Sequence, residues 1–152
     1  MTKPFSTDQY RNSPVTPNGF QSFEGLNRLA EGLSKHRLII ADALHFAEGT
    51  HTVDDIILMV MSGRLRWWYM ENSFMLTEII QYPQMSLLHV FLAGGDLDEI
   101  KARHSDLVSA AKQAGCKGLT LAGRRGWAKA LSDIGWKEAS TNVAFMIGDD
   151  NG

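Results

Sequence analysis

The chain is 152 residues long, 44% hydrophobic and 21% charged, with a formal net charge of −2. That length and composition suit one globular domain with a core of its own. The charge gives no overall electrostatic reason to bind nucleic acid or an anionic membrane. Cys116 is the only cysteine, so an intrachain disulfide is excluded, and a reducing compartment is expected. His36, His45, His51 and His104 show no metal-ligand spacing, so no metal is expected. No apolar run approaches the roughly 20 residues of a membrane span. Met1 to Tyr10 hold no apolar signal core, so a soluble protein is expected.

Met1 to Phe23 hold three of the four prolines and many Ser, Thr, Asn and Gln, with no helical or strand period. A segment of that kind cannot offset its ordering entropy by burial, so a flexible polar arm is expected, followed by a domain over 24–149. From Leu26 to Phe46 the period is helical, with Leu26, Leu29, Ala30 and Leu33 on one face, then Ile40 and Leu44. The pattern allows a break near Ser34, and Gly49 is a plausible stop. Thr52 opens a second helix with Asp55 at the capping-box position and Asp54 beside it; Val53, Ile56, Ile57 and Val60 form its stripe, and Gly63 ends it.

Three strands follow, Arg64 to Tyr69, Ser73 to Tyr82 and Ser86 to Leu92, joined by turns at Glu71-Asn72 and Pro83-Gln84. Asp96 to Ala114 is the clearest helix, with Leu97, Ile100, Leu107, Val108 and Ala111 on one face, Asp96 as N-cap and Gly115 at the C′ position. Gly118 to Leu121 is a short buried strand. Arg124 to Ile134 is a helix with Trp127, Leu131 and Ile134 inward, and Asn142 to Ile147 is a last strand. The helix between Ser86–Leu92 and Gly118–Leu121 is a crossover, so those two strands should run parallel. The expected fold is α/β: a mixed, twisted sheet made of an antiparallel meander and one parallel crossover, with helices on both faces.

That order resembles the GNAT superfamily of N-acetyltransferases, and more closely its small phage-encoded members. The residues that carry the likeness are Thr77-Glu78-Ile79, Leu92-Ala93-Gly94-Gly95-Asp96-Leu97, and Gly123-Arg124-Arg125-Gly126-Trp127 through Gly135-Trp136, over a span from about Ala43 to Ile147. The resemblance implies a coenzyme A pantetheine arm between the strands Ser86–Leu92 and Gly118–Leu121. It would touch Val90, Phe91 and Leu92, with the diphosphate at Gly94 and Gly95 and Arg124 and Arg125 within reach. The turn departs from the family's pattern. No basic residue precedes the glycines, and Asp96, Asp98 and Glu99 crowd the first helical turn, where like charge opposes an arriving diphosphate.

For catalysis the resemblance points to His89 or Glu78 as general base, against the bland readings of a sheet-face histidine and a solvent-face glutamate. The tyrosine that often serves as general acid has no counterpart in Arg124 to Ile134. Trp67 and Trp68 point to opposite faces of a strand, so one core cannot bury both: one of them is either covered by a helix or the arm, or exposed as a binding surface, and of these an interface is the expectation. Two functions follow. The first is a non-catalytic interaction module of a phage virion or its assembly, located in the host cytoplasm or the virion, with protein partners and no cofactor. The alternative is a divergent N-acetyltransferase dependent on acetyl-CoA.

Overall fold

The computed structural model describes residues 23–47, 49–123, 126–141 and 143–148. The polar arm therefore lies outside the described residues up to position 22, as do Arg124, Arg125 and Asn142. The elements run α1 (Phe23–Lys35), α2 (Arg37–Leu44), a 3-10 turn (His45–Ala47), α3 (Val53–Met61), β1 (Arg66–Tyr69), β2 (Ser73–Gln81) and β3 (Ser86–Gly95). They continue as α4 (Leu97–Ala102), α5 (His104–Gln113), β4 (Gly118–Leu121), α6 (Gly126–Ala130) and a second 3-10 turn (Ser132–Ile134). The sheet order is β1-β2-β3-β4. β1, β2 and β3 pair antiparallel, and β4 lies parallel to β3, as a crossover requires.

Alternation along the strands sends side chains into two separate cores. On one face Trp67, Phe74, Leu76 and Leu92 pack with Leu29, Leu33, Ile40, Leu44, Ile56 and Val60 of α1 to α3. On the other, Trp68, Met75, Leu88 and Val90 pack with Ile100, Leu107, Ala110 and Ala111 of α4 and α5. Trp67 and Trp68 are 1% and 2% exposed, which overturns the expected aromatic interface. Each ring has a helical layer of its own. Trp67 stacks on Phe74 with centroids 5.6 Å apart, and Trp68 donates from Nε1 to Thr77 Oγ1 at 2.9 Å under the Arg66 guanidinium.

The capping box at Thr52 and Asp55 forms as its spacing predicts. The first long helix breaks close to the Ser34 position that the pattern allows, and the second breaks where periodicity gave no notice. The first gives way at His36, whose φ of −102° and ψ of 14° leave the helical basin. Its buried imidazole donates from Nε2 to the Met70 carbonyl at 2.6 Å and stacks on Tyr69. The second steps at Arg103, whose guanidinium bonds Asp106 and the Tyr69 carbonyl.

The expected last strand is not formed among the described residues. Residues 143–148 carry no strand, and β4 is the sheet edge. Val143-Ala144-Phe145-Met146-Ile147 is apolar at every position, so it lacks the alternation that would bury one face, and its four large side chains are 74–92% exposed.

Candidate functional site

β3 and β4 stay paired only from Leu87↔Gly118 to Val90↔Leu121. Beyond that point β3 continues to Gly95, while β4 stops and the chain turns away through Ala122 and Gly123. Between the diverging ends lies a cleft of about 580 Å³. Phe91, Leu92 and Ala93 form one wall, and Leu121, Ala122, Gly123 and Trp127 the other. Ala43, Phe46 and Ala47 of α2 and the turn after it close one side, with Thr50, His89 and Ala144 completing the lining.

A β-bulge sits at the mouth. Thr77 pairs with Val90 and Leu76 with Leu92, so Phe91 is an extra residue that interrupts the ladder. The bulge resets the alternation, which is why Phe91 and Leu92 both pack toward the α1–α3 core. Of the residues named for the cofactor, Phe91 and Leu92 line the cleft. Val90 does not; it is buried toward α4 and α5.

Both base candidates come together here. Glu78 on β2, His89 on β3 and Thr120 on β4 lie in register, in one row across three strands. Direct cross-strand partners share a sheet face, and His89 lines the cleft. Its Nδ1 is 2.8 Å from Thr120 Oγ1. Burial of the half-buried ring pulls its pKa below the ordinary histidine value, and the Glu78 charge opposes that pull. The net pull favours the neutral imidazole, the state a base needs. Thr120 was not among the expected residues. Its neighbour is set by the β3–β4 register, a long-range pairing that no local motif encodes.

Gly94 and Gly95, named for the diphosphate, end a strand directly before α4. Both belong to β3, paired with Phe74 and Ser73. Gly95 has φ +109°, and a Cβ there would lie 2.3 Å from the Asn72 carbonyl oxygen, so the glycine serves a tight backbone approach. The helix that follows is closed by its own residues. Asp96 accepts from the Asp98 and Glu99 amides. Glu99 accepts from Ser73 Oγ and from the Asn72 amide and side chain. These bonds hold the Glu99 carboxyl below the ordinary glutamate value, with Ser73 the largest influence.

The nearby cations are also engaged, Lys101 with Asp133 at 2.7 Å and Arg103 with Asp106 at 2.8 Å. Coenzyme A, which the resemblance implies, therefore fits in part. The splayed strands suit a narrow pantetheine arm, whereas the start of α4 is acidic and already capped, a poor seat for a diphosphate. Arg124 and Arg125 lie outside the described residues.

Among the described residues no group of three or more His, Cys, Asp or Glu is placed to hold a metal, and no helix is long and apolar enough to cross a membrane. Cys116 is half-buried, and burial pushes its thiol above the ordinary cysteine value.

No known protein family and no curated protein matches the chain. Solved structures do match. A probable acetyltransferase superposes with a TM-score of 0.58 at 8% identity, over 78% of this chain and 94% of the other. An acetyltransferase from Trypanosoma brucei gives 0.57 at 11%, over 77% and 94%. An integron cassette protein from the mobile metagenome of V. cholerae gives 0.51 at 11%, over 79% and 88%. Identity this low speaks for architecture alone. The fold is GNAT-like.

Proposed function

We propose that the protein is a divergent GNAT-type acyltransferase that takes its donor as a pantetheine thioester in the β3–β4 cleft and uses His89 as general base. The observation that carries this reading is the His89 imidazole in the wall of the cleft where the parallel strands part. A bound thioester supplies an activated acyl carbon. His89 removes the proton that an acceptor amine sheds as the new N–C bond forms and the C–S bond breaks. α6 has no tyrosine, so water protonates the departing thiolate. The apolar walls exclude water from the thioester.

Because the start of α4 is capped, the donor's grip lies in its arm. Calorimetric titration at low salt should give acetyl-pantetheine and acetyl-CoA similar Kd values, within about threefold, less than 1 kcal/mol. His89→Gln should bind either donor and transfer from neither. Absence of heat with both donors at millimolar concentration would remove the enzyme reading.

The acid-capped helix start and the exposed Val143–Ile147 segment favour a second reading, an interaction module; a phage virion or its assembly is the setting that the resemblance alone suggests. Its partners would be virion proteins, and its place the host cytoplasm or the particle. Deleting Met1 to Phe23 separates the two: transfer survives under the first reading, and partner capture fails under the second.

A further inference from the structure

The hydrogen bond between His89 and Thr120 joins the middle of one strand to a neighbour 31 positions away, on the side of the ring opposite Glu78 in the row. A threonine hydroxyl can donate or accept, so the pairing alone allows either imidazole tautomer. The chemistry of the cleft separates them. If Nδ1 accepts the hydroxyl proton, its lone pair is occupied and Nε2 carries hydrogen, leaving no free basic nitrogen. If Nδ1 donates to the hydroxyl oxygen, Nε2 keeps a lone pair. No hydrogen bond joins Glu78 to His89 among the described residues, so Glu78 acts on the ring through its charge alone.

We infer that Thr120 is a positioning residue: its Oγ1 accepts from His89 Nδ1, fixing the ring's orientation and the tautomer whose Nε2 is free to take a proton. This rests on His89 being the base of the proposed reaction, but the tautomer can be read without any donor or acceptor. Glu78 on β2 is the charged group that faces His89. The cleft residues from α2, the 3-10 turn and α6 are Ala43, Phe46, Ala47 and Trp127, and none of them titrates. The fixed hydrogen-bond partner is therefore Thr120, in the way a buried acceptor elsewhere orients a catalytic or metal-bound histidine.

The test is long-range nitrogen–proton NMR of the full chain with its histidines labelled, with His89 assigned through its loss in His89→Gln. At a pH where the ring is neutral, the wild type should show Nδ1 protonated and Nε2 bare. Thr120→Ser, which keeps the hydroxyl, should look the same. Thr120→Val, nearly the same shape, should show a mixture of tautomers. If acyl transfer is found, Thr120→Val should lower kcat several-fold at unchanged donor KM, with Thr120→Ser close to wild type. Wild-type Nδ1 bare, or a Thr120→Val spectrum identical to wild type, overturns the inference even if transfer occurs. The expected tautomers with no transfer from any donor would uphold the hydrogen bond and sink the enzyme reading instead.

Discussion

The two ends of the exposed stretch of β3 carry similar residue types and behave in opposite ways. At its far end, Ser73, Asn72, Asp96 and Glu99 satisfy one another and the first amides of α4, so the polar groups are spent inside the fold. At its near end, Glu78, His89 and Thr120 make one hydrogen bond among them, and His89 lines an open cleft. Resemblance to a cofactor-binding fold would put ligand contacts at both. The structure shows a difference in hydrogen bonding: the far end's polar groups bond one another, and His89 at the near end lines the cleft. An anion at a helix start needs open amides, and here the Asp96, Asp98 and Glu99 amides are bonded within the chain.

The largest way to break the contrast is Gly95→Ala. The new methyl meets the Asn72 carbonyl at a backbone angle that side chains rarely adopt. The expected loss is on the order of 3 kcal/mol, read as a Tm lower by roughly 10 °C in thermal unfolding. A Gly95 variant that lost donor binding would therefore report a damaged hairpin, so it is unsuitable as a probe of the cofactor. Normal stability in Gly95→Ala would restore the ligand reading of this turn.

Ser73→Ala is the next step down. Ser73 is fully buried and its Oγ also accepts from the Asp96 amide at 3.2 Å, so the variant strands that amide at a cost of about 1–2 kcal/mol. The same bonds give the closed end an acid limit. Glu99 is held ionised below its usual range, so its contribution is complete above the ordinary glutamate value and is lost as pH falls through its depressed native value. Wild-type stability followed down through pH 4 should decline more steeply than that of Glu99→Gln. Parallel curves would show that the carboxylate cluster does not hold the helix start.

Much of this was legible in the sequence. The strand order, the parallel crossover, the capping box at Thr52 and the Asp96 cap follow from local pattern and chemistry, and each is present. What was missed depended on long-range partners. The break that the pattern allows near Ser34 falls at His36 because Met70 and Tyr69 wait 33–34 positions away. Trp67 and Trp68 point to opposite faces, and which of them a helix covers depends on long-range packing: each lies in a core of its own. That Gly95 serves a close approach to Asn72 is visible only after β2 and β3 pair. His89 was named from its strand position, but Thr120 had no local signal at all.

The smallest expected effect sharpens the open end. Glu78 stabilises the charged imidazole, while burial destabilises it more. Removing the charge in Glu78→Gln should lower the His89 midpoint further, an increment readable by NMR titration. The sign matters for function. If transfer with His89 as base is found, the acid limb of its pH profile should move to lower pH in the variant. Stability has a matching signature. A histidine depressed in the folded state stabilises the fold fully above its unfolded value and loses that contribution as pH falls toward the native one, so Glu78→Gln widens the window of acid sensitivity. A midpoint that rises instead would mean Glu78 does not act on the ring through its charge, and the row across the sheet would reduce to the His89–Thr120 pair alone.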